Sequence, residues 1–140
     1  MIRQILLSIA AFFLIFLASL FPASAQEGCS NASTQQDMNK CAGQSYSKAD
    51  ARLNKLYKSI QQRLKGDKDT LKLFVNAQRA WIGYRDSECK FSSSAAADGS
   101  IYPLIYSQCL ETLTKNRVQA FEAYLKCEEG DMSCPVPSAE

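Results

Sequence analysis

The 140-residue chain contains no histidine. That absence removes Ser-His-Asp and Cys-His nucleophile systems, His-ligated zinc and haem, and the side chain that ordinarily changes charge near neutral pH. Glycine (6) and proline (4) are sparse, and none falls into a Gly-rich phosphate fingerprint or a nucleophile elbow. No Cys-x-x-Cys occurs, and no imidazole is present to share ligation. The expectation is therefore no metal and no cofactor. Apolar alternation of the strand kind, internal repeats and low-complexity tracts are missing as well. Asp86 and Glu88 are the nearest approach to an acid–base pair. They stand two apart on a predicted helix, point in different directions, and have no cleft around them in a three-helix pattern. The chain reads as a non-enzyme.

The N-terminus reads as an export signal. Arg3 precedes an apolar run over 5–21, broken only by Ser8 and Ser19, and the run ends in Pro22 and Ala23-Ser24-Ala25. This is the order of a secretory signal peptide, with cleavage expected after Ala25. The run is shorter than an ordinary spanning helix. Gln26-Glu27-Gly28 also lacks the apolar residue that a lipid-attachment site at Cys29 would prefer. The mature chain is thus expected in the periplasm or secreted, without a stable membrane anchor, and nucleic acid is not an expected partner there.

Charge is unevenly spread. Residues 40–90 carry twelve Lys or Arg against five Asp or Glu, whereas residues 91–140 carry three against seven. The first half is basic and the remainder acidic. Lys55, Lys58 and Arg63 mark a basic face that could meet an anionic envelope polymer or simply solvate a helix.

Periodicity predicts three helices. From Met38 to Leu64 the apolar residues Met38, Cys41, Ala42, Tyr46, Ala49, Leu53, Leu56, Tyr57, Ile60 and Leu64 recur at three and four. Thr34 with Asp37 offers a capping pattern at the start, and Gly66 a stop. A second helix, capped by Asp67 or Asp69, carries Leu71, Phe74, Ala77, Ala80, Trp81, Tyr84 and Cys89, and fades at Ser92–Ser94. A third carries Leu104, Ile105, Cys109, Leu110, Leu113, Val118, Phe121, Tyr124 and Leu125, with Pro103 in its first turn. Short turns between them give an all-α, disulfide-linked, up-down-up three-helix bundle. The expected divisions are a signal peptide over 1–25, a helical domain over 26–126 and a tail over 127–140.

Six cysteines in a small exported chain read as a disulfide framework with fifteen possible pairings. Levels counted from the two turns bring Cys29, Cys41, Cys89 and Cys109 to one end of the bundle. The expected bridges are Cys41–Cys89 and Cys29–Cys109, with Cys127–Cys134 closing a small loop in the tail.

Three blocks resemble the LprI-type lysozyme-inhibitor domain family. The first is Cys41-Ala42 followed by Ala49-Asp50, Leu53-Asn54 and Tyr57. The second, the most specific, runs from Ala77 through Gln78, Arg79, Ala80, Trp81, Ile82, Gly83, Tyr84 and Arg85 to Cys89. The third is Cys109 with Thr114 and Arg117. Together they span about Cys29 to Leu125, and the Cys127–Cys134 tail departs from the usual pattern. The resemblance implies an exported binding protein that inhibits a lysozyme.

Asp50, Asn54 and Tyr57 share one helix face. Reflection across the first turn sets Asp50 beside Trp81, Tyr84 and Arg85, so the simplest role is a structural pair of Asp50 with Arg85 or Arg79. Trp81, the single tryptophan, reads as a core or boundary plug with Ala77, Ala80 and Tyr84 around it. Two partner classes follow. One is a lysozyme or another envelope protein, met by the loop 92–100 or by the helical hairpin. The other is an anionic polymer or protein partner, held in an adaptor or structural role through the basic hairpin.

Overall fold

Thr34 opens the first helix. Its hydroxyl accepts from the Asp37 amide at 3.1 Å and donates to the Asp37 carboxylate at 2.7 Å, which satisfies one of the orphan donors of a helix start. α1 then runs Gln35–Arg63, about 44 Å at 1.5 Å per residue. In this computed structural model Cys29 and residues 31–138 are described. The signal peptide expected over 1–25 lies outside the described residues.

Asp67 caps the second helix as expected, accepting from the Thr70 amide at 3.0 Å and from its hydroxyl at 2.7 Å. α2 spans Lys68–Ser92, a short 3₁₀ turn covers Ser94–Ala96, and α3 spans Tyr102–Leu125 with Pro103 in its first turn. The expected stop at Gly66 needs one amendment. Among the described glycines only Gly130 has positive φ, at 86°, so Gly66 itself is not in the left-handed conformation of a helix-ending glycine. No strand and no helix apolar and long enough to cross a membrane occurs among the described residues.

The helices run up, down and up. α1 and α3 form the close-packed pair, and α2 lies against α3 over a shorter stretch. The core joins Leu53, Leu56, Ile60 and Leu64 of α1 to Phe121 of α3, with Tyr57, Phe74 and Trp81 packed against them. Tyr57 stacks on Phe74 at 5.1 Å between ring centroids, and Phe74 meets Phe121 at 5.2 Å. α2 reaches α1 mainly through such large side chains and not through close backbone approach.

That spacing corrects two bridges. The observed disulfides are Cys29–Cys41, Cys89–Cys109 and Cys127–Cys134, with Cα–Cα distances of 5.7, 5.5 and 5.6 Å. The expected Cys127–Cys134 bridge is present; Cys41–Cys89 and Cys29–Cys109 are not. A disulfide needs Cα atoms within about 7 Å, and aromatic and guanidinium groups hold α1 and α2 further apart than that. Cys41 also stands nine residues before Asp50, which is two and a half helical turns. It therefore sits on the side of α1 opposite the α2-facing Asp50 and pairs with the segment entering α1. Cys89 and Cys109 do lie at one level, and they join α2 to α3. The Ser93 hydroxyl donates to the Cys89 carbonyl at 2.6 Å and closes the end of α2 beside this bridge.

The last segment is docked. Val136 is buried in the core cluster beside Leu64. Arg63 donates to the carbonyl of Leu125 at 2.9 Å and to that of Pro137 at 3.3 Å.

Candidate functional site

The motif block of α2 has two faces, and they do different things. Gln78, Trp81, Arg85 and Cys89 recur at three and four and turn inward; Gln78, Arg85 and Cys89 are buried. Arg79, Ala80 and Tyr84 turn outward.

The inward face builds a ladder of alternating cations and rings. The Arg85 guanidinium carbon lies 5.5 Å from the Tyr46 ring centre and 5.2 Å from that of Trp81. Arg117 of α3 stands 5.7 Å from Trp81 and 4.7 Å from Phe121. Arg85 is also the ion-pair centre. It contacts Asp86 through Nη2 at 2.9 Å and Asp50 through Nη1 at 3.3 Å. Asn54 donates to the other Asp50 oxygen at 2.9 Å. Of the two arginines considered for Asp50, the structure places Arg85 there, and Arg79 faces solvent. Arg117 instead donates from Nε to Gln78 Oε1 at 3.1 Å.

The electrostatics follow from this packing. Burial works to lower the Arg85 pKa. The hydrogen bond to Asp86, with Tyr46 and the carboxylates of Asp86 and Asp50, outweighs it, and the net shift is upward. Arg117 has no such carboxylate, and burial pulls its pKa down against a small opposing effect of Tyr124. Burial raises the Tyr46 and Tyr106 hydroxyls; the Asp86 carboxylate adds to the rise in both and Arg85 opposes it. These contacts tie α2 to α1 through Asp50 and Tyr46 and to α3 through Arg117. No set of three or more His, Cys, Asp or Glu residues able to hold a metal occurs among the described residues.

The outward face is apolar where solvent would favour charge. Leu73, Ala77, Ala80, Tyr84 and Phe91 lie at steps of four, three, four and seven, on one side of the helix. Leu73 is 69% exposed, Tyr84 55% and Phe91 75%. Tyr84 is thus not part of the plug expected around Trp81, which is itself half-buried, and Ala77 and Ala80 are exposed too. Lys68, Lys72, Arg79 and Lys90 form a separate exposed row, roughly 100–140° around the helix from that stripe, and none is in an ion pair among the described residues. Asp86, taken by Arg85, stands among these cations, whereas Asp69 and Glu88 are the charged i,i+3 and i,i+4 neighbours of the apolar stripe.

Lys55 and Lys58 are exposed on α1, but Arg63, the third residue of the expected basic face, is committed to the carbonyls of Leu125 at the end of α3 and Pro137 in the tail. Periodicity missed the roles of Tyr46, Tyr106 and Arg117, because ring and guanidinium contacts across helices leave no spacing signal. Leu73 and Phe91 were detectable, since both fall off the inward period of α2.

Residues 26–121 match the family model described as "Lysozyme inhibitor LprI". An uncharacterised protein of Rhizobium meliloti (strain 1021) is 36% identical over 129 residues, covering 82% of this chain and 93% of that protein. The uncharacterised protein YecT of Escherichia coli (strain K12) is 30% identical over 116 residues, covering 71% of each. No solved structure matches the chain.

Proposed function

The chain belongs to the LprI family of lysozyme inhibitors, and from that premise we propose that it is an exported, non-catalytic protein that blocks a lysozyme by covering its substrate cleft. The observation that carries this reading is the family match over 26–121, which takes in all of α1 and α2 and most of α3. Three disulfides suit an oxidising compartment outside the cytoplasm. The polymer-binding alternative is the weaker one, because Arg63 of its basic face is occupied by carbonyl groups of the chain itself.

The test is turnover of labelled peptidoglycan by c-type and g-type lysozymes in the presence of the exported, oxidised protein. Near-stoichiometric inhibition is expected, and a reduced and alkylated sample is expected to lose it. Absence of inhibition at large excess with both lysozyme types overturns the reading.

A further inference from the structure

We infer that the protein pairs with a second copy of itself through α2, along a short antiparallel helix–helix seam. In it Leu73 packs against Phe91 of the second copy, Ala77 against its Ser87 and Ala80 against its Tyr84. This goes beyond the inhibitor reading above and does not depend on it.

Spacing carries the inference first. Leu73, Ala77, Ala80, Tyr84, Ser87 and Phe91 follow one another at four, three, four, three and four. That is the 3.5-residue repeat of a helix that meets another helix along its length. At 100° per residue the six stay within about 80° of the helix circumference, and the run is about 27 Å long. All six are exposed, so no described part of this chain covers them. The contacts of α2 with α1 and α3 use Gln78, Trp81, Arg85 and Cys89 instead.

The order of sizes names the occupant. Two parallel copies in register would set Tyr84 on Tyr84 and Phe91 on Phe91, with the alanines facing alanines. Such large layers hold helices apart and leave the small layers as voids. Turned antiparallel about position 82, the same residues interleave. Leu73 and Phe91 close both ends, and each Tyr84 ring lies over Ala80 of the other copy. Every contact is then made twice, as a two-fold interface requires. Charge agrees with this register. Glu88 falls opposite Asn76 of the second copy, and Asp69 opposite Ala95, past the last residue of the second copy's α2 at Ser92. No like charges are opposed along the seam. The row of Lys68, Lys72, Arg79 and Lys90 lies roughly 100–140° away and stays outside it. The Cys89–Cys109 bridge and the contacts of Trp81 with Arg85 and Arg117 hold α2 from behind, so little freedom is lost on pairing. A seam of about two and a half heptads is short, which places the dimer in the weak, concentration-dependent class.

Sedimentation of the exported, oxidised full chain from about 1 μM to about 1 mM is expected to show a monomer–dimer equilibrium. Leu73→Glu and Phe91→Lys should each weaken it by about 10-fold or more, and Ala51→Glu on exposed α1 should leave it unchanged. All three positions are exposed, and far-UV circular dichroism checks that the helices persist. An equimolar mixture of Leu73→Glu and Phe91→Lys tests the register. Antiparallel pairing brings the two substituted positions, now of opposite charge, together at one end and keeps Leu73 against Phe91 at the other. The mixture should therefore recover association that neither variant shows alone. A parent that is monomeric throughout, single variants that associate as the parent does, or a mixture that stays monomeric each overturns the inference. A monomeric parent whose inhibition of lysozyme is lost in Phe91→Lys gives the face to the lysozyme and overturns it as well. None of these results overturns the inhibitor reading, which is tested by turnover alone.

Discussion

Arg85 makes two ion contacts and lies near two rings while almost fully buried. Desolvation offsets much of the attraction in such a pair, so its value lies in what happens when one partner is removed. Asp50→Asn and Arg85→Gln are each expected to destabilise the fold, with the double substitution costing less than the sum. The coupling should be on the order of 0.5–3 kcal/mol; strict additivity in urea unfolding would show that the 3.3 Å contact contributes nothing. Thr114 presents the opposite case. Its hydroxyl is fully buried and has no hydrogen-bond partner among the described residues. Leaving a buried hydroxyl unsatisfied costs about 1–3 kcal/mol, and valine has nearly the same shape. Thr114→Val is therefore expected to be neutral or to raise the melting temperature. A fall would mean that the hydroxyl has a partner in solution, such as a buried water.

At the scale of elements, the order of helices was legible because α1, α2 and α3 each repeat apolar residues at three and four. The caps at Thr34 and Asp67 were legible because short-range hydrogen bonding depends on neighbouring residues alone. Cys127–Cys134 was legible as a local loop closure, but the pairing of the other four cysteines was not, because levels counted from the turns took α1 and α2 to be the closest pair. The helix periodicity already contained the contradiction: an Asp50 that faces α2 leaves Cys41 on the other side of α1. The final segment was also underestimated, since two prolines hide the fact that Val136 enters the core. Val136→Ala should then lower the stability of the whole helical bundle by about 1–3 kcal/mol. Far-UV circular dichroism during urea unfolding checks it, and an unchanged midpoint would show that the segment does not support the helices. The candidate site was half legible. The motif residues were found, but their division into an inward ladder and an outward stripe depends on where α3 sits.

For the whole molecule, the missing histidine and the clustered tyrosines fix how stability depends on pH. Asp67 and Asp131 have folded pKa values below the ordinary 3.8, Asp67 because of its hydrogen bonds to Thr70 and Asp131 because of those to Ser133. A depressed carboxyl binds its proton less readily in the folded state than in the unfolded one. Its contribution is therefore complete above the unfolded value and is lost as pH falls through the folded one. Tyr46 and Tyr106 have folded pKa values above the ordinary 10.0, raised first by burial. Their contribution is complete below 10 and is lost as pH rises towards the folded values, because the unfolded chain ionises first. No histidine is present to change charge near neutrality, and among the described residues no free thiol is present either. Thermal unfolding of the oxidised protein should accordingly show a plateau around neutral pH, an acid fall below about pH 4 and an alkaline fall above about pH 10. Replacing Tyr46 and Tyr106 with phenylalanine should move the alkaline edge upward and leave the acid edge in place. An alkaline edge that does not move would separate the ladder around Arg85 from the stability of the bundle.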